Sequence, residues 1–238
     1  MARTRALHIQ NESTDPAVPF VQALEERGFE VETVHPYAGQ PLPETLDGID
    51  AVVAGGGLVD THQVHEHRWL GQEIDLVAEA IASGTPYIGL CLGAQVLTEA
   101  AGGEVYRSQP HEVGWHEVEL MPAAGDDPLF GGLPPRFRTM QWHYYACRPG
   151  DAAVELARNP AALQALRVGE CAWGTQFHIE ATREVLTGWL ELGGDDLAAN
   201  GYPRDVYLRA IDEHYEQHAA VGRTLAARFA ELAANRAG

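Results

Sequence analysis

Residues 89–93 read Gly89-Leu90-Cys91-Leu92-Gly93, between an apolar run (Pro86-Tyr87-Ile88) and a helical one (Ala94-Gln95-Val96-Leu97). Glycines on both sides of a central residue let a strand double back tightly into a helix, a turn that belongs to α/β architectures. The residue at its tip is pushed into a strained, exposed position, and here that residue is a cysteine. The helix that follows offers free N–H groups and the positive end of its dipole, which favour a thiolate over a thiol. A second block, Gln176-Phe177-His178-Ile179-Glu180, places an imidazole and a carboxylate at the end of another strand-like run. A base and the group that orients it need to meet, and alternation about Ile179 along an extended chain would point both side chains to one face.

The first half of the chain alternates strand and helix patterns at the spacing of a parallel sheet. Ala6–Gln10 is a short apolar run. Asp15-Pro16 supplies a helix cap and a first-turn proline, and Phe20, Val21 and Leu24 continue a helical pattern that stops at Gly28. Glu30–Val34 alternates as a strand does, and Ala51–Ala54 is a buried strand running into Gly55-Gly56-Gly57. The spacing predicts a helix over Trp69 to Ala82, then the cysteine turn and a helix closing at Gly102-Gly103.

Beyond residue 104 the pattern changes. Trp115–Leu120 and Arg138–Cys147 are predicted strands, and Leu163–Arg167 with Ala172–His178 form a hairpin about Val168-Gly169-Glu170. A helix of about ten residues carries Val185, Leu186, Trp189 and Leu190. A Gly/Asp/Asn stretch, Gly193–Pro203, separates it from one long C-terminal helix with an apolar stripe from Tyr207 to Leu232. The expected fold is flavodoxin-like: an open, mostly parallel central sheet flanked by helices, with a small antiparallel β portion. Residues 1–192 form the α/β domain and 193–238 a helical C-terminal extension, whose stripe serves packing on that domain or a homodimer or partner interface.

Composition narrows the function. With 45% hydrophobic residues in 238, burial is not limiting. A net charge of −18 argues against nucleic acid and anionic membrane surfaces, which call for basic patches, and every one of the 16 basic residues is arginine. Three cysteines without a Cys-x-x-Cys pair suit a reducing cytoplasm, with no disulfide framework and no structural zinc. The opening segment has a core strand where a signal peptide would have its apolar region, and no stretch approaches membrane-spanning length. The triple glycine matches neither phosphate-binding fingerprint. No cofactor and no metal are expected. His62, His65 and His67 could offer imidazoles to a metal, but nothing completes the pattern and a solvated loop is favoured.

The cysteine turn and the His178-x-Glu180 block, some 87 residues apart, together resemble the class I (triad) glutamine amidotransferase family. The likeness extends through Gly55-Gly56, Ala101-Gly102-Gly103-Glu104-Val105, Glu112-Val113-Gly114-Trp115 and Gln141-Trp142-His143. It is closest to free-standing proteins similar to the amidotransferase part of GMP synthase. The resemblance implies Cys91 as nucleophile on the γ-carboxamide of glutamine, His178 as its base and Glu180 as the group orienting His178. It implies an oxyanion hole from the N–H groups of Leu92 and Gly56, and substrate contacts from Gly57, Gln95, Gln141, Trp142 and His143. Two positions depart from the family: Ile179 and Gly57 stand where proline is usual. Glutamine or another γ-glutamyl compound is the implied substrate, and a separate synthase subunit would accept the ammonia. Two alternatives are a stand-alone γ-glutamyl peptide or amide hydrolase, and a non-catalytic binding protein of the same fold. Cys147 and Cys171 suit packing, and His143 suits a hydrogen-bonded wall of the site.

Overall fold

The structure is a computed structural model that describes residues 4–238. Among the described residues nine strands form one sheet in the order β2-β1-β3-β4-β9-β8-β7-β5-β6. The first five neighbours are parallel: β1 (Arg5–Ile9) between β2 (Glu30–Val34) and β3 (Ala51–Ala54), then β4 (Tyr87–Leu90) and β9 (Ala172–Thr175). The other four run antiparallel: β8 (Leu163–Val168), β7 (Ala153–Arg158), β5 (Glu104–Leu120) and β6 (Arg136–Arg148). β1, β3, β4 and β9 are buried almost throughout, as strands covered on both faces must be.

The helices cover the two faces. α2 (Arg68–Ser83) and α3 (Leu92–Ala100) lie over a core that includes Leu7, Ile9, Val52, Tyr87 and Val96. α1 (Val18–Glu26) and the long α5 (Arg204–Ala237) pack on the other, where Phe20 meets Phe229 edge-on at 6.4 Å. Val221, Leu225 and Phe229 of the C-terminal stripe share this core with Phe177 and Ile179. Among the described residues no helix is long and apolar enough to cross a membrane.

Five local expectations need correction. Asp15 does not cap α1: the helix starts at Val18, behind Ala17 at φ 45°, and Asp15 is turned inward and buried. β5 begins at Glu104, eleven residues before the expected start, because its pairing with β6 resumes after an irregularity between Arg107 and Glu112. β7 was not anticipated, since Ala153–Arg158 lacks the clean alternation of a half-buried strand. β9 stops at Thr175; the chain then leaves its partner, His178 N–H donates to Met140 O at 2.9 Å, and Ile179-Glu180 form a turn. Last, Gly193–Pro203 is mostly helical. α4 runs from Arg183 to Ala199 through a kink at Gly193, its N-terminus capped by the Thr182 hydroxyl.

Candidate active site

The C-terminal ends of β1, β3, β4 and β9 converge, and the segments leaving them hold Asp15, Gly56, Cys91, His178 and Glu180. β4 delivers Cys91, whose N–H donates to Thr175 O on β9 at 2.8 Å. Its backbone sits at φ 50°, a left-handed conformation that costs a side-chain-bearing residue of order 1–3 kcal/mol. The glycines are obligatory: a Cβ on Gly89 would lie 2.3 Å from the Gly93 carbonyl carbon, and one on Gly93 2.5 Å from Ala54 O. Cys91 is also the N-cap of α3, so the Leu92 N–H beside it lies in the first turn, where amides have no partner within the helix.

His178 is buried, and its Nδ1 lies 2.7 Å from Glu180 Oε1. The two meet across a turn, where an extended chain was expected. A third group, which the sequence did not reveal, completes the cluster. Asp15 Oδ2 lies 3.5 Å from the same Nδ1 and accepts the Gly56 N–H at 3.0 Å. Nothing local signals this role, because Asp-Pro before an apolar run has the form of a helix cap; only the adjacency of β1 and β3 brings Asp15 to the glycine loop. Gly56 has no room for a side chain, since a Cβ there would come 2.5 Å from Asp15 Oδ2 and 2.9 Å from His178 Cε1.

These groups set one another's charge. Burial works against a charged imidazole, but Cys91, Glu180 and Asp15 together lift His178 well above its ordinary value. Burial likewise opposes ionisation of Asp15, yet His178 and the Gly56 N–H outweigh it and hold the carboxyl below the usual range. Burial, helped by the charge of Asp15, pushes Glu180 up to about 8. One imidazole nitrogen thus faces two carboxylates, of which Asp15 carries the charge more readily.

The remaining predicted residues fall into two groups. Gly57, Gln95, Trp142 and His143 line a cavity of about 160 Å³ together with Cys91, Asp60, Tyr144 and Tyr145. Gln141 lines neither this cavity nor its neighbour: it is buried, donates to Gln164 at 2.7 Å and touches His143 Nε2 at 3.1 Å. His143 is held by its Nδ1 on Tyr145 O at 2.8 Å and by Glu112 at 3.4 Å, and the imidazole beside the carboxylate keeps Glu112 low despite its burial. Trp142 O and the Gln176 amide approach Cys91 Sγ at 4.0 and 3.7 Å. Cys147 is buried, its thiol pushed up to about 12 by that burial, and Cys171 Sγ contacts Gly84 O at 3.0 Å. His62 and His65 are exposed, and His62 pairs with Asp60 at 3.2 Å. Among the described residues, the imidazole and carboxylate atoms that converge as a ligand set are those of Asp15, His178 and Glu180.

Comparison with known proteins places the chain in a family. Residues 19–189 match the model of the family described as glutamine amidotransferase class-I. The chain is 28% identical over 213 residues to the glutamine amidotransferase-like protein YfeJ of Salmonella typhimurium, with 88% of each chain covered. It is 34% identical over 178 residues to the GMP synthase [glutamine-hydrolyzing] of Aeropyrum pernix, covering 72% of this chain and a third of that one. A crystal structure of a glutamine amidotransferase from Thermotoga maritima superposes with a TM-score of 0.83 at 25% identity, over 97% of this chain and all of the other. The chain belongs to the class-I glutamine amidotransferase family.

Proposed function

We propose that this protein hydrolyses the γ-amide of glutamine through a thioester on Cys91 and yields ammonia for an acceptor enzyme. The observation that carries the reading is the junction of β4 and β9. It sets a cysteine in left-handed conformation at a helix N-terminus, interacting with an imidazole whose Nδ1 lies 2.7 Å from a buried carboxylate. The Cys91 thiolate attacks the γ-carbonyl carbon, and the carbonyl electrons move to oxygen. The Leu92 N–H faces that oxyanion; the Gly56 N–H can join it only by leaving Asp15. Collapse of the intermediate breaks the C–N bond, and His178 gives its proton to the departing nitrogen. Water, deprotonated by His178, then attacks the thioester and releases glutamate. Glu180 and Asp15 hold the imidazole by its other nitrogen throughout.

Purified protein given glutamine is expected to release glutamate, and Cys91→Ala to abolish that release while its circular dichroism and melting temperature stay close to those of the parent. Equal turnover in Cys91→Ala would overturn the scheme.

A further inference from the structure

A second cavity adjoins the first on the side of the imidazole. It measures about 210 Å³, opens to solvent, and is lined by Trp142, Trp189, Leu58, Leu192 and Gly193 on its apolar side and by Glu12, Thr14, Asp15 and His178 on its polar side. Gly57, Leu58 and Trp142 line both cavities, so the two adjoin, with Cys91 in the wall of one and His178 in the wall of the other. An imidazole that protonates a leaving amine has to face it. The cavity lined by His178 therefore receives the leaving group, and the one lined by Cys91, Gln95 and Asp60 receives the γ-glutamyl part. Ammonia is about the size of water, whose share of liquid volume is about 30 Å³. The leaving-group side is several times larger than that.

The larger part of its surface is apolar. Trp142 and Trp189 meet edge-to-face at 5.7 Å, and Trp189 stands 4.9 Å from the His178 ring. Both indole N–H groups are already engaged, Trp142 on Asp196 at 2.8 Å and Trp189 on Thr14 O at 3.3 Å, so what the rings offer a ligand is hydrocarbon surface. The kink in α4 presses its backbone onto Trp142: a Cβ on Gly193 would come 2.4 Å from the indole Cζ2. Leu58 and Leu192 are 81% and 60% exposed, two of the three large hydrophobic side chains exposed among the described residues. Both line this cavity, whereas an ammonia leaving group would gain nothing from either.

We infer that the protein also cleaves γ-glutamyl amides whose amine carries an apolar alkyl or aryl group, seated among Trp142, Trp189, Leu58 and Leu192. This rests on the thioester chemistry proposed above and changes only the leaving group. The Cys91 sulfur bonds the γ-carbon, the C–N bond breaks, and the amine nitrogen takes the proton of His178. Water then cleaves the thioester to glutamate and returns a proton to His178.

The test is kcat/KM for glutamine and for γ-glutamyl methyl-, n-propyl- and n-butylamide, with glutamate release as readout. Burial of each added methylene is expected to raise kcat/KM roughly two- to fourfold along the amide series. Leu58→Ser and Leu192→Ser, at exposed positions that do not threaten folding, should lower the butylamide-to-methylamide ratio at least fivefold when combined. A flat or falling series beside active glutamine turnover overturns the wider specificity and leaves the glutaminase intact. A rising slope that the double substitution does not alter overturns the assignment of this cavity. No release from any amide overturns the inference, and glutamine in the same assay decides separately whether the thioester reading falls with it.

Discussion

Asp15 gives the site a property that a three-residue description lacks. One carboxylate oxygen takes the Gly56 amide and faces the imidazole nitrogen that Glu180 already holds, so the same atom pins the glycine loop and shares the charge of His178. Removing that charge while keeping the shape lowers the proton affinity of His178. Asp15→Asn is therefore expected to shift the alkaline limb of the pH–rate profile to lower pH and to reduce kcat by roughly tenfold or more. An unchanged profile would restrict Asp15 to holding the loop. Cys91, His178 and Glu180 were legible in the sequence because glycine flanks and i, i+2 spacing are local signals. Asp15 was not, because its partners lie 41 and 163 residues further along the chain.

The elements that carry these residues are held in place from behind. α5 presses against the turn that bears His178 and Glu180: a Cβ on Gly222 would come 2.3 Å from Ile179 O, and His218 Nε2 binds Ala181 O at 3.0 Å while its Nδ1 meets Thr139 Oγ1 at 3.1 Å. Gly222→Ala must push helix and turn apart, at a cost of about 1–3 kcal/mol. It should lower both melting temperature and turnover, whereas Gly188→Ala on α4, with open space around it, should leave turnover alone and raise the melting temperature slightly. Equal effects from both would sever α5 from the site. α2 contributes a buried acid, Glu73, which accepts from Asn11 at 3.1 Å, and Asn11 in turn donates to Gly55 O of the glycine loop. Burial, opposed in part by the Asn11 hydrogen bond, pushes this carboxyl from 4.5 up to about 8. The folded protein keeps the proton that the unfolded chain has lost, so stability falls as pH rises through that window. Glu73→Gln should flatten the decline of melting temperature between about pH 5.5 and 8; an unaltered slope would assign the decline to Glu180. The helices and parallel strands were readable from periodicity and glycine stops. α4 was cut short because Gly193-Gly194 mimics a terminus, while the real chain only kinks there and lays its wall against Trp142.

Over the whole molecule, 34 acidic residues face 16 arginines, and the ion pairs that relieve this excess, such as Arg5–Glu32 at 2.9 Å, lie largely on the surface. Self-repulsion then works against the compact state and is screened by salt. Melting temperature is expected to rise by a few degrees between about 20 and 500 mM NaCl; a fall would mean that the surface pairs outweigh the repulsion. Alternation along the chain pointed to the parallel half of the sheet, but no pattern in it announced that β4 and β9 lie side by side, and that contact is what brings the Cys91 turn to the segment bearing His178. The same contact orders events during synthesis. Cys91 leaves the ribosome well before His178 exists, and the antiparallel strands between them must be laid down before β9 can close on β4. Throughout that interval the thiol of the nascent chain lacks the imidazole of His178, and a chain that ends before β9 lacks the strand contact on which the site is built.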